Sequence, residues 1–373
     1  MYYFDFTATT PPNNEVLEVY NLINQKYWGN ASSLYKTGSL ASTLFEKAKN
    51  ELKDIFKLSN HNIIFTSGAT EANNIAIFGV ANNYQKKHVI TSKVEHPSVM
   101  ACFEHLEKQG FDVTYLDVDE NGIISLDQLE KAINNDTVLV SIMWVNNILG
   151  SIQPIKEITK IVKNQNRAKL HVDMVQGMAK IVPDFDFNDI DLFTVSAHKL
   201  NGLKGQGFLA YNDSINLMSV LKGSGQQNGL KPGTIDVAGA CACTKAVKIS
   251  YLKMQEHYEK VCELNTYLRQ KINQITNVTI NSGEKNYSPY ILNISILGKN
   301  SETVLHFLEQ FDIYVAAGSA CNSKIRKPER CVLAVTNDEN RALSSIRISL
   351  AAQTTIEEID YLIDKIKLIA SKE

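Results

Sequence analysis

The sequence predicts an α/β fold, with a mostly parallel sheet flanked by helices and a smaller α+β domain behind it. Three observations carry this. From about residue 60, short β-type runs alternate with helical segments, the pattern of a parallel sheet with crossover helices. Near residue 236 a long helical stretch begins. Behind it the chain changes character, mixing strands and helices into a unit that starts near residue 255. The 373 residues, 44% hydrophobic and 21% charged, are enough to bury a large core of this kind.

In chain order, "NIIFTS", "HVITSK", "DVTYLDV", "TVLVSIMWV", "KLHVDMV" and "DLFTVSA" are predicted strands, short and rich in β-branched residues. Between them "TEANNIAIFGVANNYQ", "SVMACFEHLEKQG" and "IKEITKIVKNQN" have helical periodicity. The stretch from "DVAGACAC" to "RQKINQI" is one long helix or two with a break. The tail then supplies the strand "YILNISIL", the helix "SETVLHFLEQF", the strand "SSIRISLA" and the helix "TIEEIDYLIDKIKLIASK".

Composition narrows the function classes. Thirty-eight basic residues face forty acidic ones, so no basic face for nucleic acid is expected. The N-terminal stretch has no basic segment followed by an apolar one, and no 18-residue apolar run occurs. The expectation is a cytoplasmic protein without a membrane anchor. Six scattered cysteines, Cys102, Cys241, Cys243, Cys262, Cys321 and Cys331, form no CxxC pair or cluster with histidines. That argues against a metal site or a disulfide framework.

Chemistry in such sheets gathers at the carboxyl ends of strands. Four segments fall there. Ser67-Gly68-Ala69-Thr70 leads from a strand into a helix, where unpaired N–H groups make a phosphate site. His96 follows "HVITSK"; Asp173 and then Gln176 end "KLHVDMVQ". Finally Leu192, Phe193 and Val195 deliver the chain to Ser196, His198 and Lys199, with Gly202, Gly205 and Gly207 behind. Each alone has a plain structural reading, as a helix cap or a solvated strand end. Together a phosphate site, a ring to stack, a carboxylate and a lysine specify pyridoxal 5'-phosphate. A nicotinamide site would want a GxGxxG turn after the first strand, and none is present.

At this point the chain resembles the cysteine desulfurases of the NifS/IscS type, within the class V aminotransferase, fold-type I group. The resemblance runs nearly end to end. It rests on "YFDFTATTP", "GNASS", "FTSGATEANN", "EHPSV", "NNILGSIQPI", "HVDMVQ", "SAHKLNGLKGQG", "GLKPGT", "GSACNS" and "SSIRISLA", in the family's order. It implies a cofactor-binding domain over residues 16–254, a small domain over 255–373 with the catalytic cysteine loop, and residues 1–15 associated with the small domain. It implies that Lys199 forms the Schiff base with pyridoxal 5'-phosphate. His96 stacks on the ring, Asp173 pairs with its nitrogen, and Gln176 and Asn147 lie near its phenolic oxygen. Ala69, Thr70, Ser196 and His198 bind the phosphate, and Thr234 reaches the phosphate of the neighbouring subunit of a homodimer. Arg347 holds the carboxylate of L-cysteine, with Asn30 assisting.

Cys321 carries the identity of the reaction implied: its thiolate takes the substrate's sulfur as a persulfide and hands it to an acceptor protein. The sequence departs from the family's usual pattern at Ile148, in "FTATTP", at Lys231-Pro232 and in "SLAAQ", none of which removes a catalytic atom. A related pyridoxal phosphate lyase or transaminase, such as one acting on selenocysteine, is the alternative within enzymes. A non-catalytic scaffold is the alternative outside them. Lys324, Arg326, Lys327 and Arg330 after Cys321 form a basic loop suited to steer an acidic acceptor.

Overall fold

The structure, a computed structural model, describes residues 1–85, 87–164, 168–317 and 327–371. It opens with strand β1 (Tyr2–Tyr3) and helices α1 (Asn14–Lys26) and α2 (Lys36–Phe56). Next come β2 (His61–Thr66), α3 (Ala69–Ala81), β3 (His88–Ser92), α4 (Pro97–Lys108) and β4 (Asp112–Leu116). They are followed by α5 (Leu126–Ala132), β5 (Thr137–Met143), α6 (Ile155–Lys163), β6 (Lys169–Asp173), β7 (Leu192–Ser196) and β8 (Gly207–Asn212). Helices α7 (Val237–Leu252) and α8 (Met254–Ile272) meet at Lys253, so the long helical stretch is two helices. The C-terminal part holds β9 (Val278–Ile280), β10 (Ile291–Ile296), α9 (Ser301–Glu309), β11 (Ile313–Tyr314) and β12 (Ala316–Ala317). It ends with α10 (Arg330–Thr336), α11 (Glu339–Leu343), β13 (Ser345–Ser349) and α12 (Ile356–Ala370).

Seven strands form one sheet in the order β2-β8-β7-β6-β5-β3-β4. Strands β7, β6, β5, β3 and β4 pair in parallel, and β8 runs antiparallel to both β2 and β7. Because side chains alternate along a strand, the sheet feeds two cores, one on each face. Ile64, Val89, Leu139, Leu192 and Leu209 pack with residues of α3 and α4. Phe65, Ile90, Val140, Phe193 and Phe208 pack with residues of α2, α6 and α7. A sheet covered on both faces needs near-continuous apolar strands, and these runs supply them.

Three elements of this large layer go beyond the sequence reading. Strand β8 begins inside the glycine-rich run, at Gly207. A Cβ there would lie 2.6 Å from the Val195 carbonyl oxygen and 2.9 Å from Gly68 Cα, so glycine lets β8 pass its neighbours. Helices α1 and α2 precede the first expected strand. In α2, Ala41, Phe45, Ala48, Leu52 and Phe56 recur at three- and four-residue spacing and are all buried. Each large one contributes about 2 kcal/mol by leaving water.

The second sheet has four antiparallel strands in the order β12-β13-β10-β9. The N-terminus is laid against it. Strand β1 pairs in parallel with β11, and the Ser349 N–H donates to the Phe4 carbonyl at 2.7 Å. No helix among the described residues is long and apolar enough to cross a membrane.

Candidate active site

The carboxyl ends of β2, β3, β6 and β7 converge on one cavity of about 680 Å³. Ala69, Thr70, His96, Asn147, Asp173, Gln176, Ser196, His198, Lys199 and Arg347 all line it. Thr234 does not; it lines an adjoining cavity of about 140 Å³ together with Ser67 and Lys231. Asn30 sits on the exposed turn between α1 and α2, its Oδ1 accepting the Ser32 N–H at 2.9 Å, away from the cavity of this chain. Cys321 lies outside the described residues, as do Lys324 and Arg326.

Helix α3 starts at this cavity. Its N-cap, Gly68, has φ 138°, a conformation glycine alone adopts freely, and no side chain caps the helix. The first N–H groups of a helix have no partner within it, so Ala69 and Thr70 offer donors beside Ser196 and His198. Glu71, in the same first turn, accepts from the Ser67 N–H at 2.6 Å and pairs with Lys231 at 3.3 Å. Its charge is thereby engaged.

Asp173 is buried at the end of β6. Its Oδ1 accepts the Val175 N–H at 3.0 Å, and its Oδ2 accepts from Asn73 Nδ2, also at 3.0 Å. Asn73 was not singled out from the sequence. Its place three residues after Thr70, one turn into the helix that starts at the cavity, is the signal that could have found it. His96 caps α4, with Nδ1 receiving the Ser98 N–H. Burial lowers its pKa against the opposing pull of Asp173, which favours the uncharged ring. His198 is likewise held neutral, pushed down to about 4 by burial and by the Lys199, Lys204 and Lys180 charges.

Lys199 Nζ donates to the carbonyls of Thr7 and Ala8, each at 2.6 Å. Burial first, then the Arg347 charge, lowers its pKa to about 8, against the pull of Asp5 and Asp173. About a tenth of the amine is therefore unprotonated at pH 7, far more than for an ordinary lysine. Arg347 enters from the middle of β13. Its Nη2 pairs with Asp5 at 2.7 Å and its Nη1 donates to the Asn147 carbonyl at 2.8 Å. Among the described residues its buried Nε has no partner. Asp5 was not foreseen as part of the site.

Two further findings concern the rim. Glu95, preceding His96, is wholly enclosed, and burial raises its carboxyl to about 8 although Ser92 and the Met143 N–H donate to it. Arg330 donates to the carbonyls of Lys93 and Glu95. It is thus a clasp between α10 and the end of β3, and not a free cation of the basic loop as the sequence suggested.

The donor set fits pyridoxal 5'-phosphate. An uncapped helix start faces the cavity for a phosphate. A buried carboxylate, already oriented by Asn73, suits a ring nitrogen, and a lysine of lowered pKa stands ready to attack an aldehyde.

The chain matches the Aminotransferase class-V family over residues 2–362. It is similar to cysteine desulfurase IscS of Dictyoglomus turgidum, 37% identical over 373 residues that cover 99% of this chain and 94% of the relative. A NifS/IcsS protein homolog of Lactobacillus delbrueckii subsp. bulgaricus is 38% identical, covering 97% of this chain and 95% of the relative. Among solved structures, a NifS-like protein has a TM-score of 0.91 at 32% identity and covers 99% of both chains. A structure of SspA in complex with cysteine has a TM-score of 0.81 at 31% identity, covering 95% of this chain and 100% of that one.

Proposed function

The chain belongs to the aminotransferase class-V family, and from that premise we propose that it is a cysteine desulfurase, converting L-cysteine to L-alanine and carrying the sulfur as a persulfide on Cys321. The observation that carries the reading is one cavity in which Lys199, Asp173, His96 and Arg347 meet. The relatives named cysteine desulfurase, aligned over nearly the whole chain, support the same reaction.

Pyridoxal 5'-phosphate, when bound, supplies the electron sink for the charge left when Cα loses its proton. The chain does the rest. The N–H groups of Ala69 and Thr70, with Ser196 and His198, hold the phosphate. Asp173 would hold a proton on the ring nitrogen, Gln176 and Asn147 would donate toward the phenolic oxygen, and the His96 ring would stack. Arg347, which lines the cavity, receives the substrate carboxylate. Lys199 Nζ, as a free amine, takes the Cα proton. The Cys321 thiolate attacks the substrate sulfur, an S–S bond forms as the Cβ–S bond breaks, and protonation at Cβ followed by return of a proton to Cα completes alanine.

The other cysteines support the assignment of Cys321. Only a thiolate is nucleophilic, and burial raises the thiols of Cys102 and Cys243 to about 12 and of Cys241 to about 11, with Cys262 and Cys331 also raised.

The working unit of the proposal is a homodimer in the cytoplasm. Trp28, Leu34 and Tyr35 stand exposed between α1 and α2, an apolar stretch that a second copy would cover. The five described cysteines are all free thiols, in keeping with a reducing compartment. Sulfur then passes to an acceptor protein, an iron–sulfur scaffold or a thiolation enzyme.

Cys321→Ser tests the reading. The variant should keep its cofactor absorbance and release no sulfide from cysteine. Unchanged sulfide release would favour a lyase that needs no cysteine nucleophile.

A further inference from the structure

Behind Lys199 lies a second, smaller cavity, of about 60 Å³, which shares Thr7 and Lys199 with the active-site cavity. Lys180 lines it, and nothing in the proposed mechanism uses Lys180. The residue sits on the turn after β6, one helical turn beyond Gln176, and its Nζ donates to Gln176 Oε1 at 3.1 Å. Gln176 Nε2 in turn donates to the Thr7 carbonyl at 3.1 Å, the same oxygen that accepts from Lys199 Nζ at 2.6 Å.

The chemistry of this chain of contacts is directional. An ammonium has three donors and no acceptor, so it can meet only the oxygen of an amide. With Oε1 engaged by Lys180, Gln176 turns its nitrogen toward Thr7 and the active-site cavity. We infer that Lys180 is a positioning residue: it locks the Gln176 amide so that only N–H faces the cavity and the Thr7 carbonyl, the oxygen that also receives Lys199. The inference rests on the cofactor reading above and deepens it. A Gln176 that only donates favours an ionised acceptor beside it, as the phenolic oxygen of the cofactor would be.

The charged and titratable groups facing Lys180 support a coupled role. Lys199, Arg347 and His198 lie on the active-site side. His257 lines the small cavity, and the Tyr290 ring centroid is 6.0 Å from Nζ. No carboxylate pairs with Lys180 among the described residues. Burial, followed by the Lys199 and Arg347 charges, lowers its pKa to about 7. Below that pH the lock is complete. Above it the neutral amine keeps two N–H donors, so the contact with Oε1 persists. The Lys199 charge opposes that of Lys180, and Lys180, the lower of the two, loses its proton first.

The test is a visible-absorbance titration of the holoenzyme, following protonation of the Lys199–cofactor linkage between about pH 6 and pH 10. Lys180→Met should raise the midpoint by roughly 0.5–1 unit, because the amide is free to turn its oxygen toward the Lys199 linkage. Lys180→Arg, an obligate donor, should hold the amide and keep the midpoint below that of Lys180→Met. If Lys180→Met does not fold, Lys180→Leu carries the same expected rise. A Met or Leu variant that folds and keeps the wild-type midpoint overturns the inference alone. Wild-type protein showing no cofactor absorbance overturns it together with the cofactor reading.

Discussion

The seven-stranded and four-stranded sheets both send polar side chains into one cavity, and they do so by different means. In the large sheet, Asp173 and Ser196 end their strands and Lys199 lies just beyond one. There the backbone leaves the ladder, so a side chain can be placed without disturbing strand pairing. In the small sheet Arg347 sits mid-strand, its backbone register fixed between Asn293 and Ala316. Its guanidinium is held by Asp5, a residue 342 positions away in the chain. Reactive groups at strand ends are thus separable from the fold. A buried cation in a central strand is part of both.

The sharpest way to break this comparison is Lys199→Ala. It should abolish alanine production from cysteine and the visible absorbance of the lysine-bound cofactor, while thermal unfolding of the cofactor-free protein changes little. Retained turnover would remove Lys199 from the mechanism. A large loss of stability would remove the distinction between the sheets.

Arg347→Met probes the other sheet. It leaves Asp5 without its partner in a partly buried position, so both properties should suffer. We expect a stability loss of about 2 kcal/mol by denaturant titration and a fall of about 100-fold in kcat/KM for cysteine, mostly through KM. Asp5→Asn in the Arg347→Met background should recover stability without recovering activity. A stability loss with normal kcat/KM would show that Arg347 serves the fold alone.

The smallest effect is expected in the segment between β12 and α10. Neutralising Lys324, Arg326 and Lys327 together should slow sulfur transfer to the acceptor protein a few-fold at low salt, through the rate of encounter. Release of sulfide to a small thiol should not change. The slowing should fade toward roughly 0.5 M salt, where screening acts within a few ångströms. Arg330 is left out of this set because it is bound to the Lys93 and Glu95 carbonyls. Equal transfer rates at low salt would place docking elsewhere.

Much of the fold was legible because its signals are local. Apolar runs such as Leu192–Ser196 state their own secondary structure, and the turns after them hold the residues of the site in order along the chain. Strand β8 was hidden because the glycines before it look like loop, yet Gly207 is required by a close approach of β7 and α3's cap that no local pattern encodes. The same limit applies to chemistry. The sequence by itself determined which residue types stand at the strand ends: the lysine, the carboxylate, the histidine and the open helix start. Only the tertiary structure decided what each is bound to. Asn73 orients Asp173 from 100 residues away, Asp5 holds Arg347 from the far end of the chain, and Gln176 joins Lys180 to Thr7 and so to Lys199. Tertiary structure also decided the protonation of these groups. The lowered pKa values of Lys199 and His96 arise from removal of water and from charges brought close by folding, and both are properties of a place in space and not of a position in sequence.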